Sequence, residues 1–338
     1  MSTTILVLSV DEAWRLEKSL PAIVGQGDVV VVDNACTDST PEVAEGCGAR
    51  VLRLSARRSY AAALNTAIAA TRGEAVLLLN ADCVAAPGFV EALRRALDAD
   101  AGLGSVAPRL LRATGLDEAD RLDELDAAGI VVTRWAKNGL VAHGAPAGGA
   151  GAHAAGRTAV AGGAVVGEAA AGGAFSTPGP VFGGDGAAVL WRRAALEDCA
   201  VGAEVLDEDM ALWATESDLA WRAQLRGWRS AYVPSAVAWH VRTYRPSAER
   251  AALDAVHRRM QFRNRLLMAA KNLTLSTDLL FVAGYEVAAL GHALLREREL
   301  LGAYREAWAL RAGVRRRRAV VQARRTVRRA PLGLTPPS

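Results

Sequence analysis

The stretch Ala75-Val-Leu-Leu-Leu-Asn80-Ala-Asp82 decides the fold class of this chain of 338 residues. Its five apolar residues follow Gly73, and a short apolar run after a breaker predicts a strand buried on both faces. Asn80 and Asp82 then belong at the carboxyl edge of a parallel sheet, where such folds bind ligands. A carboxylate fixed there suits Mg2+ or Mn2+ carrying diphosphate oxygens. The alternative is that the two polar residues only begin a turn.

Two earlier apolar runs end in the same way as this strand. The run at residues 5–10 includes Ser9 near its end and is followed by Asp11. The run at residues 28–32 is followed by Asp33. Segments with helical spacing separate the runs, so we predict an α/β fold with a doubly wound, mostly parallel, Rossmann-like sheet built from βαβ units. The polar strand ends then form a crevice for a nucleotide-like ligand. Neither GxGxxG nor GxxxxGK[ST] occurs, so carboxylates and a metal would hold that ligand.

The charge distribution is uneven along the chain. The net charge is +4, but residues 311–329 contain nine Arg and no acid, which leaves 31 basic and 36 acidic residues elsewhere, or about −5. This argues against a nucleic-acid-binding body and for a tail that meets an anionic partner such as a membrane surface. The alternative is a solvated basic helix. Residues 279–295 are apolar but contain Glu286 and His292, so we do not expect a membrane span.

The cysteine spacing and the first residues of the chain both predict a cytoplasmic protein. The four cysteines show no CxxC spacing and no metal pattern, so we expect reduced thiols in a cytoplasmic protein. Met1 to Thr4 leads directly into an apolar run with no basic region, which predicts no secretion signal.

Residues 142–174 differ in composition from their surroundings. Of these 33 residues, 24 are Gly or Ala, which predicts a flexible insertion within the first domain. The alternative is a lid over the ligand site. The following segment, residues 181–193, contains Asp185 and Gly186 among small residues that let backbone approach a ligand.

A second acidic cluster begins a predicted helix near residue 215. Thr215 suits its cap, and Glu216 and Asp218 then lie in the first turn. Either the two acids only match the helix dipole, or their apolar surroundings raise the pKa of one toward that of a working base. His240 follows another predicted strand, a place suited to a metal ligand; the alternative is a structural role, which a single His usually has.

These segments together resemble inverting glycosyltransferases of family 2, which have the GT-A fold. The resemblance covers about residues 3–270, and its nearest likeness is to the bacterial rhamnosyltransferase-like branch that builds cell-surface glycans. The blocks that carry it are Val30-Val-Val-Asp33-Asn-Ala-Cys-Thr-Asp38, Tyr60-Ala-Ala-Ala-Leu-Asn65, Leu77-Leu-Leu-Asn80-Ala-Asp82, Thr215-Glu-Ser-Asp-Leu-Ala-Trp-Arg222 and Pro234 to His240.

The resemblance implies a role for each matching residue. It assigns the nucleotide-sugar donor to Ser9, Asp11, Asp33, Asn65, Asn80, Asp185 and Gly186. We also expect Arg57, which departs from the family pattern, to contact a phosphate of the donor. It gives the Mg2+ or Mn2+ ion to Asp82 and His240. It places catalysis at Glu216, as the base that deprotonates the acceptor hydroxyl, with Asp218 beside it.

Some positions depart from the family pattern. Thr215 stands where many relatives have a first acid, Arg57 and Ser59 replace the usual Asn and Gly, and Cys36 replaces a Ser. These changes bear on the identity of the donor. Two alternatives to an active transferase remain: a family member that binds nucleotide sugars without catalysis, and a nucleotidyltransferase. The second normally needs a Gly-rich basic loop, which residues 9–20 lack.

The predicted organisation is a GT-A domain over residues 1–270 and a helical, Arg-rich extension over residues 271–338. The implied partners are a UDP-, TDP- or GDP-linked sugar and a glycan or lipid-linked acceptor. The implied location is the cytoplasm, with peripheral attachment to the inner face of the plasma membrane.

Overall fold

The structure is a computed structural model that describes residues 2–148, 164–165, 175–242, 254–276 and 278–337. The strands are β1 (Thr3–Ser9), β2 (Asp28–Asp33), β3 (Arg50–Arg53), β4 (Ala75–Asn80), β5 (Cys83–Ala85), β6 (Leu103–Ala113), β7 (Arg121–Ala127), β8 (Ile130–Val132), β9 (Asn138–Val141), β10 (Ala164–Val165), β11 (Gly179–Val181), β12 (Ala188–Arg192) and β13 (Arg229–His240). The α-helices are α1 (Ala13–Ile23), α2 (Thr40–Gly46), α3 (Tyr60–Ala70), α4 (Phe89–Ala99), α5 (Arg193–Cys199), α6 (Thr215–Leu225), α7 (Ala255–Asn272), α8 (Asp278–Leu295), α9 (Leu301–Ala309) and α10 (Arg311–Arg324).

The first half of the main sheet is parallel, in the order β3-β2-β1-β4. In β1, Ile5 lies between Val29 of β2 and Leu77 of β4, and all three side chains are buried. Continuous apolar runs of this kind form central strands because helices cover both faces of the sheet. The carboxyl ends of β1, β2 and β4 therefore meet at one edge, as predicted.

The second half of the sheet mixes strand directions. β12 runs antiparallel between β4 and β6, and β13 runs parallel to β6. Because β12 opposes β4, its first residue, Ala188, pairs with Leu79 near the end of β4. The preceding residues are thereby brought to the ligand edge, and the Asn80 amide donates to the Ala187 carbonyl at 2.9 Å. The predicted α/β class with a mostly parallel central sheet is confirmed, with a helical region at the C-terminal end.

A smaller sheet, in the order β10-β9-β8, flanks the main one. Its β8–β9 hairpin is followed by residues 142–148, of which Ala142, Ala145 and Ala147 are buried in a second apolar cluster with Phe175. Most of the predicted Gly/Ala-rich insertion, residues 149–163 and 166–174, lies outside the described residues.

The C-terminal helices pack against the sheet domain. α10 lies on α7, and Arg317 of α10 pairs with Glu204 at 2.7 Å and with Asp209 at 2.6 Å. Beyond α10, the Gly333 amide donates to the Val132 carbonyl of β8 at 2.8 Å. The division at residue 270 remains a prediction, but the extension contacts the sheet domain at several points.

Candidate active site at the carboxyl edge of the sheet

A cavity of about 300 Å³ opens at the carboxyl edge of the sheet. Its walls come from the ends of β4 and β13, the 185–187 turn, the β8–β9 hairpin and the start of α6. The polar side chains that line it are Tyr60, Asn80, Asn138, Asp185, Glu216, Ser217, His240, Arg242 and Gln261. Asn80, Asp185, Gly186, Glu216 and His240, which the sequence predicted from separate segments, are therefore brought together here.

Strand pairing positions Asp82 against His240. β5 follows Asp82 directly and pairs antiparallel with β13, so that His240 lies opposite Cys83. The Val241 amide donates to the Asp82 carbonyl at 3.0 Å, which fixes the two chain segments. As a result, Asp82 Oδ1 lies 3.3 Å from His240 Nε2.

Asp126 holds the other side of the His240 ring. Asp126 is the penultimate residue of β7 and is fully buried. Its Oδ2 lies 2.8 Å from His240 Nδ1. Arg242 donates to both oxygens of Asp126, at 2.7 and 2.9 Å, and also to Asp185. Burial alone would lower the pKa of His240, but the Asp126 and Asp82 carboxylates raise it to about 9.

The Asp82 and His240 pair fits a divalent cation. Within the described part of the chain, Asp82 Oδ1 is buried and receives no hydrogen bond, although His240 Nε2 is close. A buried carboxylate oxygen normally has a donor or a cation beside it. An imidazole whose Nδ1 is held by a carboxylate is the usual arrangement of a metal-binding histidine. The side chains present thus suit Mg2+ or Mn2+, with Asp82 Oδ1 and His240 Nε2 as the available ligand atoms.

Glu216 faces the cavity from the first turn of α6. Its Oε2 accepts from Thr215 Oγ1 at 2.9 Å, and the hydroxyl of Tyr60 hydrogen bonds to the same carboxylate. Burial raises the pKa of Glu216 despite these hydrogen bonds. A carboxylate that faces a cavity with a raised pKa is suited to accept a proton.

Gly186 packs directly against this carboxylate. A Cβ at position 186 would lie 2.7 Å from Glu216 Oε1, closer than van der Waals contact permits. Only a residue without a side chain leaves Glu216 in its observed place. The predicted close approach of this backbone to a ligand stays a prediction, and the contact with Glu216 is a separate physical reason for glycine at position 186.

A second polar group lies at the ends of β1 and β2. Asp11 accepts from the Thr37 amide at 2.6 Å and from Arg57 at 2.7 Å, which lower the pKa of Asp11 to about 2. Asp33 is buried, and its Oδ1 accepts from the Cys36 amide at 2.7 Å. Asp11, Asp33 and Arg57 are therefore adjacent at this edge, where the nucleotide was expected.

Two predicted donor residues do not face this edge. The Ser9 side chain is fully buried, and its hydroxyl contacts Thr40 Oγ1 at 3.2 Å. Asn65 donates to the Leu206 carbonyl at 2.8 Å and accepts from the Val205 and Leu206 amides at 3.1 and 2.8 Å. The expectation that both side chains bind the donor is corrected, since Ser9 packs inside the sheet domain and Asn65 anchors the segment before α6.

Asp218 also lies away from the cavity. It is fully buried and pairs with Arg222 at 3.0 Å and with Lys271 at 2.9 Å, while Asn272 donates to it at 2.8 Å. These partners hold the pKa of Asp218 below its usual value although burial opposes them. Removing one member of such a buried group is costly because the remaining charges lose their partner. The predicted catalytic role of Asp218 is therefore corrected to a structural one.

Sequence reasoning missed Asp126, Arg242 and the contact between Tyr60 and Glu216. A signal was present for the first, since Asp126 stands shortly before Gly129, a residue type that marks turns between strands. Arg242 lies two residues beyond His240 and gave no signal of its own.

Comparison with known proteins finds similarity to glycosyltransferases over part of the chain. Residues 4–143 match the family model described as Glycosyl transferase family 2. A crystal structure of GalNAc-T7 with UDP, GalNAc and Mn2+ is similar over 80% of this chain, with a TM-score of 0.58 and 10% identity. Likeness at this identity shows the fold, which is of the GT-A type.

Two further similarities are weaker or shorter. The mannosyltransferase PcManGT from Pyrobaculum calidifontis, in complex with GDP-Man and Mn2+, is 18% identical, covers 95% of this chain and 79% of its own, and has a TM-score of 0.49. A TPR repeat-containing protein of Synechococcus elongatus is 38% identical over 73 residues, or 21% of this chain. The chain spans 48% of the GalNAc-T7 chain and 18% of the Synechococcus protein.

Proposed function

We propose that this chain is an inverting, metal-dependent glycosyltransferase of family 2 that moves a sugar from a nucleotide-diphosphate donor to a hydroxyl acceptor. The observation that carries the proposal is that Glu216 and His240 line one cavity, and that Asp82 Oδ1 lies 3.3 Å from His240 Nε2. A base and a metal pair are thereby brought to the same cavity. The family match over residues 4–143 and the GT-A fold support the same chemistry.

Glu216 would act on the acceptor. Its carboxylate takes the proton of the acceptor hydroxyl while the oxygen forms a bond to the anomeric carbon of the donor sugar. The bond from that carbon to the diphosphate oxygen breaks on the opposite face, so the configuration inverts. One carboxylate suffices for this single displacement, and Asp218 takes no part because it is buried among Lys271 and Arg222.

Asp82 and His240 would hold the divalent ion, which when bound stabilises the negative charge of the leaving diphosphate. Asp126 keeps His240 Nε2 directed toward Asp82 by accepting from Nδ1. Arg242 joins Asp126 to Asp185 and so keeps a cationic side chain in the cavity lining. Arg57 lies beside Asp11 at the ends of β1 and β2, where we place the nucleotide.

The finer assignments rest on the sequence blocks and their order. We infer a place in the rhamnosyltransferase-like branch, a UDP-, TDP- or GDP-linked donor, and a glycan or lipid-linked acceptor in the synthesis of cell-surface polysaccharide. We also propose a cytoplasmic location, peripheral to the inner face of the plasma membrane, which the basic C-terminal extension and the apolar helix α8 support.

A thermal-shift panel of UDP-, TDP- and GDP-sugars, with and without Mn2+ or Mg2+, tests donor binding. A ligand that binds only the folded protein at about 100 times its Kd adds roughly 2.7 kcal/mol of stability. We expect a metal-dependent rise in Tm with one nucleotide class. No shift with any donor, on a folded protein, contradicts the proposal.

Glu216→Gln then tests the chemistry separately from binding. Turnover with the donor found in the panel should fall by about 10²- to 10⁴-fold, because the base is lost, while donor binding persists. The Tm of the variant should not fall, since Gln avoids the cost of an ionised buried carboxylate. Unchanged turnover contradicts the base role, and donor binding without turnover in the parent protein supports the non-catalytic alternative.

A further inference from the structure

Helix α8 presents a long apolar surface to the outside of the molecule. It is the one helix in the described ranges that is long and apolar enough to cross a membrane, and only 17% of its most apolar 18-residue window is buried. Leu280, Val287 and Leu295 have 74%, 75% and 83% of their surface exposed. A core helix of a soluble protein would be mostly buried, so the exposure of this apolar surface points to a partner outside the described residues.

Contacts along α8 show which way the helix lies. Val282 and Ala293 are buried, and Glu286 on the same side pairs with Arg265 of α7. One side of α8 is therefore attached to the protein along its length of about 27 Å. A helix held in this way is suited to lie in the plane of a membrane interface rather than to cross the bilayer.

Basic and aromatic side chains border the apolar surface. Near its first half, Arg134 stacks on Phe281 at 3.9 Å and Lys137 lies 5.7 Å from the Tyr285 ring. Trp135 and Lys137 line a groove with Phe281 and Tyr285. Just beyond the last residue of α8, Arg296 and Arg298 are exposed. Trp and Tyr beside cations, around an apolar surface, are typical of a protein surface that enters an anionic membrane.

The β8–β9 hairpin connects the edge of the apolar surface with the candidate active site. Trp135 and Lys137 belong to the turn of the β8–β9 hairpin. Ile130, Asn138 and Leu140 on the strands of that hairpin line the catalytic cavity. One hairpin therefore forms both the edge of the apolar surface and a wall of the cavity.

We propose that α8 and the turn of the β8–β9 hairpin dock on an anionic membrane, and that the cavity thereby receives a lipid-linked acceptor. The docking surface consists of Leu279, Leu280, Val287, Leu290, Leu294, Leu295 and Trp135. The part that concerns the acceptor rests on the proposed glycosyl transfer. The part that concerns docking stands on the exposure and charge of this surface alone.

Vesicle flotation of the full chain tests the docking. The probes are vesicles of phosphatidylcholine alone and vesicles with about one third phosphatidylglycerol. We expect the protein to float with the anionic vesicles only. Val287→Glu should weaken that binding by about tenfold or more, since a charge replaces an apolar side chain in the interface.

Val256→Glu is the matched control, because Val256 is 54% exposed at the start of α7 and lies outside the docking surface. It should float as the parent protein does. No flotation of the parent, equal binding to both kinds of vesicle, or unchanged binding of Val287→Glu overturns the proposal. A parent dimer that Val287→Glu dissociates, without flotation, assigns the surface to a second copy of the chain and also overturns it.

Donor binding measured in the same variants keeps the two proposals apart. Both variants should retain the metal-dependent thermal shift, since neither residue lines the cavity. Loss of flotation in Val287→Glu alone, with donor binding intact, confirms docking. A parent protein that binds the donor but does not float rejects docking and leaves the proposed transfer in place. Flotation without donor binding in the parent rejects the proposed transfer and leaves the docking surface in place.

Discussion

At the scale of single residues, the protonation of Glu216 is expected to set the acid limit of activity. Burial raises its pKa, and the base works only when ionised, so kcat/KM should fall as the pH drops through that raised value. Thr215 donates a hydrogen bond that favours the ionised form. Thr215→Val removes this bond, and the acid limb of the pH profile should therefore move to higher pH.

The measurement is the pH dependence of kcat/KM for the parent and for Thr215→Val at saturating metal. Metal-binding groups also titrate, but Thr215 does not contact Asp82 or His240, so a difference between the two profiles reports on Glu216. Superimposable acid limbs contradict the role given to this carboxylate.

Asp126 is expected to raise the metal affinity of the site by holding the imidazole ring of His240 in place. Asp126→Asn leaves the shape of the site but weakens the hold on Nδ1, and loss of such a partner typically costs about 10- to 100-fold in metal affinity. Titration calorimetry with Mn2+ on the folded variant measures this without any need for turnover. Asp123→Asn, at an exposed position of the same strand, is the control. Equal Mn2+ affinity in both variants argues against the positioning role.

At the scale of elements, the turn before β12 is expected to depend on the absence of a side chain at Gly186. Gly186→Ala places a methyl group 2.7 Å from Glu216 Oε1 and must displace that carboxylate. A displacement near 1 Å in a catalytic group can cost about 10²-fold, so turnover should fall while stability changes little. Gly46→Ala in α2, where a Cβ meets nothing within 4 Å, should leave turnover unchanged.

Turnover and Tm of the two glycine variants form the test. A Gly186→Ala variant with parental turnover shows that the turn moves freely and that the tight contact has no functional role. Equal losses in both variants point to a general effect of glycine replacement.

The sequence predicted the parallel strands and their polar ends because each is a local pattern in one short segment. It did not separate Glu216 from Asp218, since residues two apart on a helix point about 200° apart and the buried side depends on tertiary packing. Asp126 and Arg242 reach the site through the β6–β7 and β6–β13 pairings, which are distant in sequence. Asn65 was misassigned for the same reason, as its partners lie 140 and 141 residues away.

At the scale of the whole molecule, the C-terminal extension is expected to stabilise the catalytic domain. Arg317 is 15% exposed and contacts Glu204, Asp207 and Asp209, and Asp207 also pairs with the buried Lys271. Arg317→Ala should lower the unfolding free energy by about 2 kcal/mol or more, because acidic groups lose their shared cation. Arg316→Ala changes the same residue type at an exposed neighbouring position and should stay within about 0.5 kcal/mol.

Urea unfolding followed by circular dichroism compares the two arginine variants. A similar small effect in both contradicts a stabilising role for the extension. A loss confined to Arg317→Ala supports the view that nine arginines in residues 311–329 serve more than one purpose, with some exposed and others tied to the sheet domain.

The return of the chain to the β8–β9 hairpin has a consequence for biosynthesis. Val132 and Gly333 are joined by a hydrogen bond in the folded protein, although about 200 residues separate them in the sequence. Because the ribosome synthesises roughly 5–20 residues per second, Val132 is made well before its partner. During translation the sheet domain can form before the C-terminal extension is synthesised. At that stage the β8–β9 hairpin and the acids Glu204, Asp207 and Asp209 lack their contacts with the extension. A ribosome-bound nascent chain that ends before Arg317 therefore lacks both the cation that pairs with Glu204, Asp207 and Asp209 and the hydrogen bond to Val132.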